Sequence, residues 1–198
     1  MLEFYKFAYC GALVFSFAAS LACFLSNRKY RGAVDAALAA AGHGPPLEVP
    51  ERMKSYDQAY LNVFKAAAAR QPTRLGKTVL QLYIRPTLLW IDVGFAISFS
   101  CFIALLWAGV PMLFPTLPYV APVSQFCIVM ALAYGVADVA EDLWLSKLLS
   151  QTSTITKTEA EVACRLTQLK LLTISLSLSG GLIFMLLSSV FPTRDRAP

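Results

Sequence analysis

The sequence has one histidine, His43, set in a Gly-His-Gly-Pro-Pro turn. A lone imidazole rules out haem ligation by a histidine pair within the chain and removes the commonest general base and metal ligand. No Cys-x-x-Cys spacing, Gly-x-Ser-x-Gly elbow or phosphate-cradling glycine loop occurs, so thiolate-metal, acyl-transfer and nucleotide chemistry are left without a motif. The five cysteines do not form a framework. Cys10, Cys23, Cys101 and Cys127 fall inside apolar runs and Cys164 near the start of another, so they are expected to be buried thiols packed like small apolar residues. Neither a metal nor a cofactor is expected.

Charge is scarce as well. Only 15% of residues are charged against 57% hydrophobic, and the mean hydropathy of +0.59 lies beyond the range of soluble domains. Four segments, about 7–25, 87–110, 119–137 (continuing to about 149) and 171–191, reach the roughly 20 mainly apolar residues that a membrane span needs. The longest polar stretch, 26–86, can form helices against the membrane but not a core of its own. The fold class expected is all-α: a single membrane domain over 1–198, an integral four-helix bundle with an amphipathic helix in the cytoplasmic loop between the first and second spans. The apolar run from Phe7 to Cys23 is read as an anchor rather than a signal peptide. It follows Glu3 and one lysine, is longer than a usual signal core, and has Ser20 where a lipoprotein signal carries leucine.

The net charge of +5 is sorted by loop. Ten cations lie in the first polar loop, among them Arg28, Lys29, Arg31, Lys77 and Arg85, and four (Lys147, Lys157, Arg165, Lys170) lie in the second. Only Lys6, Arg194 and Arg196 fall on the other side, and 112–121 has no charge. By the positive-inside rule the termini lie outside the cytoplasm and both basic loops inside. Such sorting points away from nucleic acid and towards membrane lipids as partners, with another membrane protein or a second copy as further candidates. The Asn27-Arg28-Lys29-Tyr30-Arg31 run sets orientation and can attract anionic head groups.

Within the loop, alanine-rich 33–41 is expected to be helical, ended by Gly42 and Pro45-Pro46. Ser55-x-x-Gln58 has the form of a capping box. The helix that it opens carries Tyr56, Tyr60, Val63, Phe64 and Ala67 as a one-sided stripe that must be buried against the bilayer surface or the cytoplasmic ends of the bundle, and of these the membrane surface is expected. A short helix over about 75–83 leads to Pro86, which disfavours helix at Arg85 and bends the chain there. Four prolines punctuate the outer connection (Pro111, Pro115, Pro118, Pro122), making the second and third spans antiparallel neighbours.

The ionisable residues inside or bordering the apolar runs are the candidate site. Asp138, Glu141 and Asp142 share one helical face, with Tyr134 one turn earlier. Asp92 lies roughly 9 Å into the second span and Asp138 roughly 25 Å from the outer end of the third, which puts both in the cytoplasmic half. Lys170 opens the fourth span on a narrow face with Thr167, Thr173, Ser177 and Gly181, from which it can reach these acids. Gly180 and Gly181 allow a neighbouring helix close.

Tyr56 and Arg70 in the amphipathic segment, Asp92-x-x-Phe95, Ala137-Asp138-x-x-Glu141 and Lys170 together resemble an uncharacterised family of small bacterial four-helix integral membrane proteins. That resemblance implies the bundle architecture, the bacterial cytoplasmic membrane and the choice of site, and it brings no activity. Asparagine often follows the glutamate in that family; here the position is Asp142.

Two roles remain for the cluster of Asp92, Tyr134, Asp138, Glu141, Asp142 and Lys170. The preferred one is a polar clasp holding helices in register, in a non-catalytic scaffold or accessory subunit. The alternative is a site that binds or transports a proton, a cation or a lipid head group. An enzyme is disfavoured: an Asp92–Asp138 dyad could share a proton, but no motif surrounds either residue.

Overall fold

Helix α1 (Leu2–Ala40) runs for 39 residues without a proline, about 58 Å at 1.5 Å per residue and well beyond the thickness of a bilayer core. The computed structural model describes residues 2–40, 47–115, 117 and 119–190. A single 3-10 turn, Pro50–Arg52, precedes α2 (Gln58–Arg70), and a short α3 (Val79–Leu82) enters a wide-wound segment, Tyr83–Asp92, that continues as α4 (Val93–Leu113). Then follow α5 (Val120–Ser150) and α6 (Lys157–Val190). The described residues contain no strand, only an isolated bridge between Pro72 and Thr78. The loop that it closes turns at Gly76, whose φ of 72° suits a residue without Cβ.

Three helices are long and apolar enough to cross a membrane: those spanning Lys6–Ala40, Val79–Leu113 and Val120–Ser150. The predicted fourth span, 171–191, follows α6 as far as Val190, and residue 191 lies outside the described residues. Helix α1 packs on α4, α4 on α5 and α5 on α6, and the wide-wound segment wedges between α1 and α5.

Several expected boundaries shift. Helix α1 runs on past the apolar stretch 7–25 into the alanine-rich stretch expected to be helical, as far as Ala40, since no proline interrupts it and its alanines offset Gly32. The proposed end at Gly42 and Pro45-Pro46 lies outside the described residues. Helix α2 begins at Gln58, not Ser55: Asp57 is the N-cap and accepts from the Tyr60 amide at 2.8 Å. A reciprocal capping box is found instead at Thr78 and Gln81, and it starts α3 four residues later than expected. The bend at Arg85 is present. Its φ/ψ of −137°/118° is extended, as a residue before proline prefers.

Burial runs in opposite senses along the long helices. In the half of the bundle that holds the N-terminal part of α1, polar and small residues face inward while large apolar ones face out. On α1, Ser16 and Ser20 are buried while Phe7 and Phe15 are 79% and 75% exposed. On α5, Ser124 and Ala131 are buried while Phe126 and Val136 are exposed; on α6, Thr173 and Ser177 are buried while Leu172 and Leu178 are exposed. Hydrogen bonds tie the helices in this half, from Tyr9 Oη to the Leu105 carbonyl (2.6 Å), Ser177 Oγ to the Cys127 carbonyl (3.0 Å) and Ser124 Oγ to the Trp107 carbonyl. Towards the other end the pattern reverses. Ala33, Val34 and Leu38 of α1, Leu145, Leu148 and Leu149 of α5, and Ala160 and Ala163 of α6 are buried in one core, while Arg28, Lys29 and Asp35 face out.

Small residues set the helix spacing. A Cβ on Gly135 would fall 2.7 Å from Ser100 Cβ and 3.4 Å from the Ala96 carbonyl oxygen, so α5 and α4 touch there. One on Gly180 would meet Cys127 Sγ, which fixes α6 on α5. The cysteines are free, but they are not uniformly packed as expected. Cys127 is buried, whereas Cys10 and Cys101 stand on the outward faces of α1 and α4.

The expected stripe of α2 is also partly wrong. The buried positions are Leu61, Phe64 and Ala68, whereas Val63 is 56% exposed. This face packs on α3 and α6, within the core that holds Val79, Tyr83, Leu145 and Ile155. The helix therefore buries this face against α3, α6 and the end of α5, the second of its two expected placements, and does not leave it free for a membrane surface. Asn62 pins it by exchanging hydrogen bonds with the Ile155 backbone, at 3.0 and 2.9 Å.

Candidate functional site

The polar groups collect where the burial pattern reverses. Helix α5 presents Tyr134, Asp138, Glu141 and Asp142 on its buried face, all within two turns. Opposite them α6 supplies Thr167 and Lys170. Lys170 Nζ stands 2.9 Å from Asp138 Oδ1 and 2.5 Å from Glu141 Oε2. Tyr134 donates to Asp138 Oδ2 at 2.7 Å, and Thr167 donates to Glu141 Oε1 at 2.5 Å. Each of the four carboxylate oxygens thus faces one donor, and Glu141 Oε2 has only the ammonium.

A relay reaches outward from this centre. Tyr56 Oη lies 3.1 Å from Thr167 Oγ1. A hydroxyl has one hydrogen, and since Thr167 gives its own to Glu141, the phenol must be the donor in this bond. Burial pushes the Tyr56 phenol well up from its ordinary range, so it stays protonated and keeps donating. The segment before α2 is thereby tied to the α5–α6 pair. Within that pair Trp144 of α5 donates from Nε1 to the Glu159 carbonyl of α6 at 3.1 Å.

Asp92 belongs to a different group. Lys170 is expected within reach of Asp92 or of the Asp138–Glu141 face; it takes the second, and Asp92 faces α1, because the wide-wound segment that ends in Asp92 packs between α1 and α5. Asn27 Nδ2 donates to its Oδ1 at 2.5 Å, and Arg31 Nη2 lies 3.8 Å from the same oxygen. That guanidinium also holds Glu51 Oε1 at 3.1 Å, and the Glu51 side chain is only 6% exposed. Asp92 and Asp138 are thus held by different cations and do not form a carboxyl pair. Asp142 and Tyr83 lie near acids of both groups, and they and Thr87 are each about 1% exposed. Among the described residues Asp142 Oδ2, Asp92 Oδ2, Tyr83 Oη and Thr87 Oγ1 have no hydrogen-bond partner.

Sequence reasoning placed Asp138, Glu141, Lys170 and Tyr134 together, and they are together. It missed Asn27, Glu51, Tyr83 and Thr87, and it gave Arg31 an outward role although its guanidinium binds Glu51. A signal for two of these existed. Asn27 and Arg31 stand four apart and share a face only if α1 remains helical past residue 25.

Five carboxyl groups (Glu51, Asp92, Asp138, Glu141, Asp142) face two cations, Arg31 and Lys170. Such a centre can fix helices through charge-assisted bonds and can hold or pass protons. Among the described residues no three His, Cys, Asp or Glu side chains are arranged to hold a metal ion. Comparison of the chain with protein-family models, curated proteins and solved structures gives no match.

Proposed function

We propose that the chain is an integral protein of a bacterial cytoplasmic membrane, a four-helix bundle acting as a non-catalytic scaffold or accessory subunit, and that the Lys170 clasp holds its helices in register. The clasp carries this reading: Lys170 is matched by Asp138 and Glu141, and the remaining carboxylate oxygens are taken by hydroxyls of the chain itself. A closed set of donors and acceptors ties helices together more readily than it takes up a substrate. Membrane insertion is supported by the outward apolar faces of α1, α5 and α6 over their outer halves, since water would favour the reverse. The polar centre then lies near the cytoplasmic boundary, with the α2 and α3 core in the cytoplasm. The resemblance to small bacterial four-helix membrane proteins supports the same architecture.

Charge sorting puts both termini outside the cytoplasm. An alkaline phosphatase fusion after Pro198 is therefore expected to be active and one after Gln151 inactive, and the opposite pair of results would overturn this orientation. Purification in native lipid should bring down a larger assembly or a homo-oligomer. A lone monomer that conducts protons in liposomes would sink the scaffold role.

A second reading is favoured by the unpartnered oxygen of Asp142. Binding or passage of a proton at the excess carboxyl groups would use it, whereas the clasp does not. Under the clasp reading Asp142→Asn leaves stability unchanged or raises it, because it removes one of five crowded carboxyl groups. Under the second reading the same change abolishes a measurable proton flux in liposomes while the protein stays folded. Thermal unfolding and flux measured on one preparation decide between them.

A further inference from the structure

A groove of about 400 Å³ opens between the inner part of α1, the 72–78 loop and the bend at Arg85. Three cations line it, Lys29, Lys77 and Arg85, and no carboxylate does. All three are exposed, and none forms an ion pair with a described residue. They come from three parts of the chain, so the fold rather than a local run brings them together. Lys77 and Arg85 also wall an adjoining groove of about 480 Å³. The rest of the lining is largely apolar, with Leu75, Leu82, Pro86 and a Trp90 side chain that is 70% exposed.

The position of the groove selects its ligand. It lies on α1 at the point where burial reverses, between buried Asn27 and buried Ala33. One turn towards the outer end, Phe24 and Leu25 are about half exposed, 51% and 52%, and Trp90 stands one turn into the helix beyond Pro86. A ligand in the groove would thus have three cations around an anionic head and exposed apolar side chains leading away along the helices. Indole and paired cations at such a level suit a phosphodiester carrying acyl chains. We propose that this groove binds the head group of an anionic phospholipid of the cytoplasmic leaflet. The proposal rests on the membrane reading given above, and it uses none of the clasp residues.

Native mass spectrometry of the full chain released from detergent tests it, with dioleoylphosphatidylglycerol and dioleoylphosphatidylcholine titrated separately. The wild type should hold the anionic lipid in preference. Each cation at a membrane surface contributes about fivefold, so Lys77→Gln with Arg85→Gln should weaken phosphatidylglycerol roughly 30-fold and leave phosphatidylcholine unchanged. Both side chains are exposed and unpaired, so this variant is expected to melt with the wild type. Lys29→Gln, on a separate helix, gives an independent loss of about fivefold should the double variant misfold. Lys54→Gln with Arg70→Gln removes the same charge outside the groove and should change nothing. Retention of phosphatidylglycerol by the groove variants at the level of that control overturns the proposal. So does equal binding of phosphatidylcholine, or displacement by glycerol 3-phosphate at the concentrations where the lipid binds, which would mark a soluble phosphate as the ligand. Alkaline carbonate extraction reads the underlying membrane reading separately: a chain released by carbonate refutes membrane insertion, whereas a chain retained with unaltered lipid binding in the variants refutes only the groove.

Discussion

Lys170→Met is expected to lower stability by about 3–5 kcal/mol, the usual cost of removing one member of a buried charge pair. The ammonium is 2.9 Å from Asp138 and 2.5 Å from Glu141, and its side chain is 13% exposed. Without it two carboxylates remain on adjacent turns of α5 with only the Tyr134 and Thr167 hydroxyls for partners. A methionine fills the volume, so the loss reports charge rather than a cavity. Glu141→Gln made alongside should recover part of it, because the amide needs no counter-charge and still accepts from Thr167. Asp92→Asn should recover little, since Asp92 answers to Asn27 and Arg31. Unfolding of the wild type, the three single variants and the two double variants in detergent and again in lipid gives the coupling energies. Full recovery of stability together with any cellular phenotype marks a structural clasp, and recovered stability with a persisting phenotype marks a working site. Unchanged stability of Lys170→Met alone in both media would sink the pairing.

The elements read well from the sequence were those fixed by long-range composition. Runs of apolar residues located α4 and α5, and the spacing of Asp138, Glu141 and Lys170 identified one face on each of two helices. Depth along the helices then sufficed to bring them together, because helical rise is constant. Pro86 gave the bend at Arg85 for a purely local steric reason. What was illegible depended on tertiary choice. Hydropathy falls after residue 25 although helicity does not, so the apolar run alone does not bring Asn27 and Arg31 to the site. Depth alone leaves Asp92 within reach of Lys170, and only the packing of the bend against α1 selects Arg31. Ser55-x-x-Gln58 and Thr78-x-x-Gln81 have the same pattern, but only the second closes reciprocally, since Asp57 supplies a competing cap two residues after Ser55. Tyr83 and Thr87 carried no signal at all, being ordinary polar residues in an apolar run.

The placement of α2 leads to the other large expected effect. Phe64→Ala should cost about 3–5 kcal/mol, as for other buried phenylalanines truncated to alanine. Its ring is fully buried and meets the Tyr83 ring edge-on at 5.6 Å between centroids and 75° between planes. It therefore joins α2 to the start of the bend that carries Asp92. Val63, the neighbouring residue, is 56% exposed, and Val63→Ala should change stability by no more than about 0.5 kcal/mol. A helix lying on the bilayer surface would show neither contrast in detergent, since both side chains would meet the same amphiphile. The loss at Phe64 can appear as opening of the inner core alone while the long helices stay together. Amide hydrogen exchange across 58–70 and 79–92 distinguishes this from global unfolding, and protection there should fall in Phe64→Ala and persist in Val63→Ala. Equal protection in the two variants, with equal melting temperatures, would show that α2 does not depend on Phe64 for its docking and that the inner core is held by other contacts.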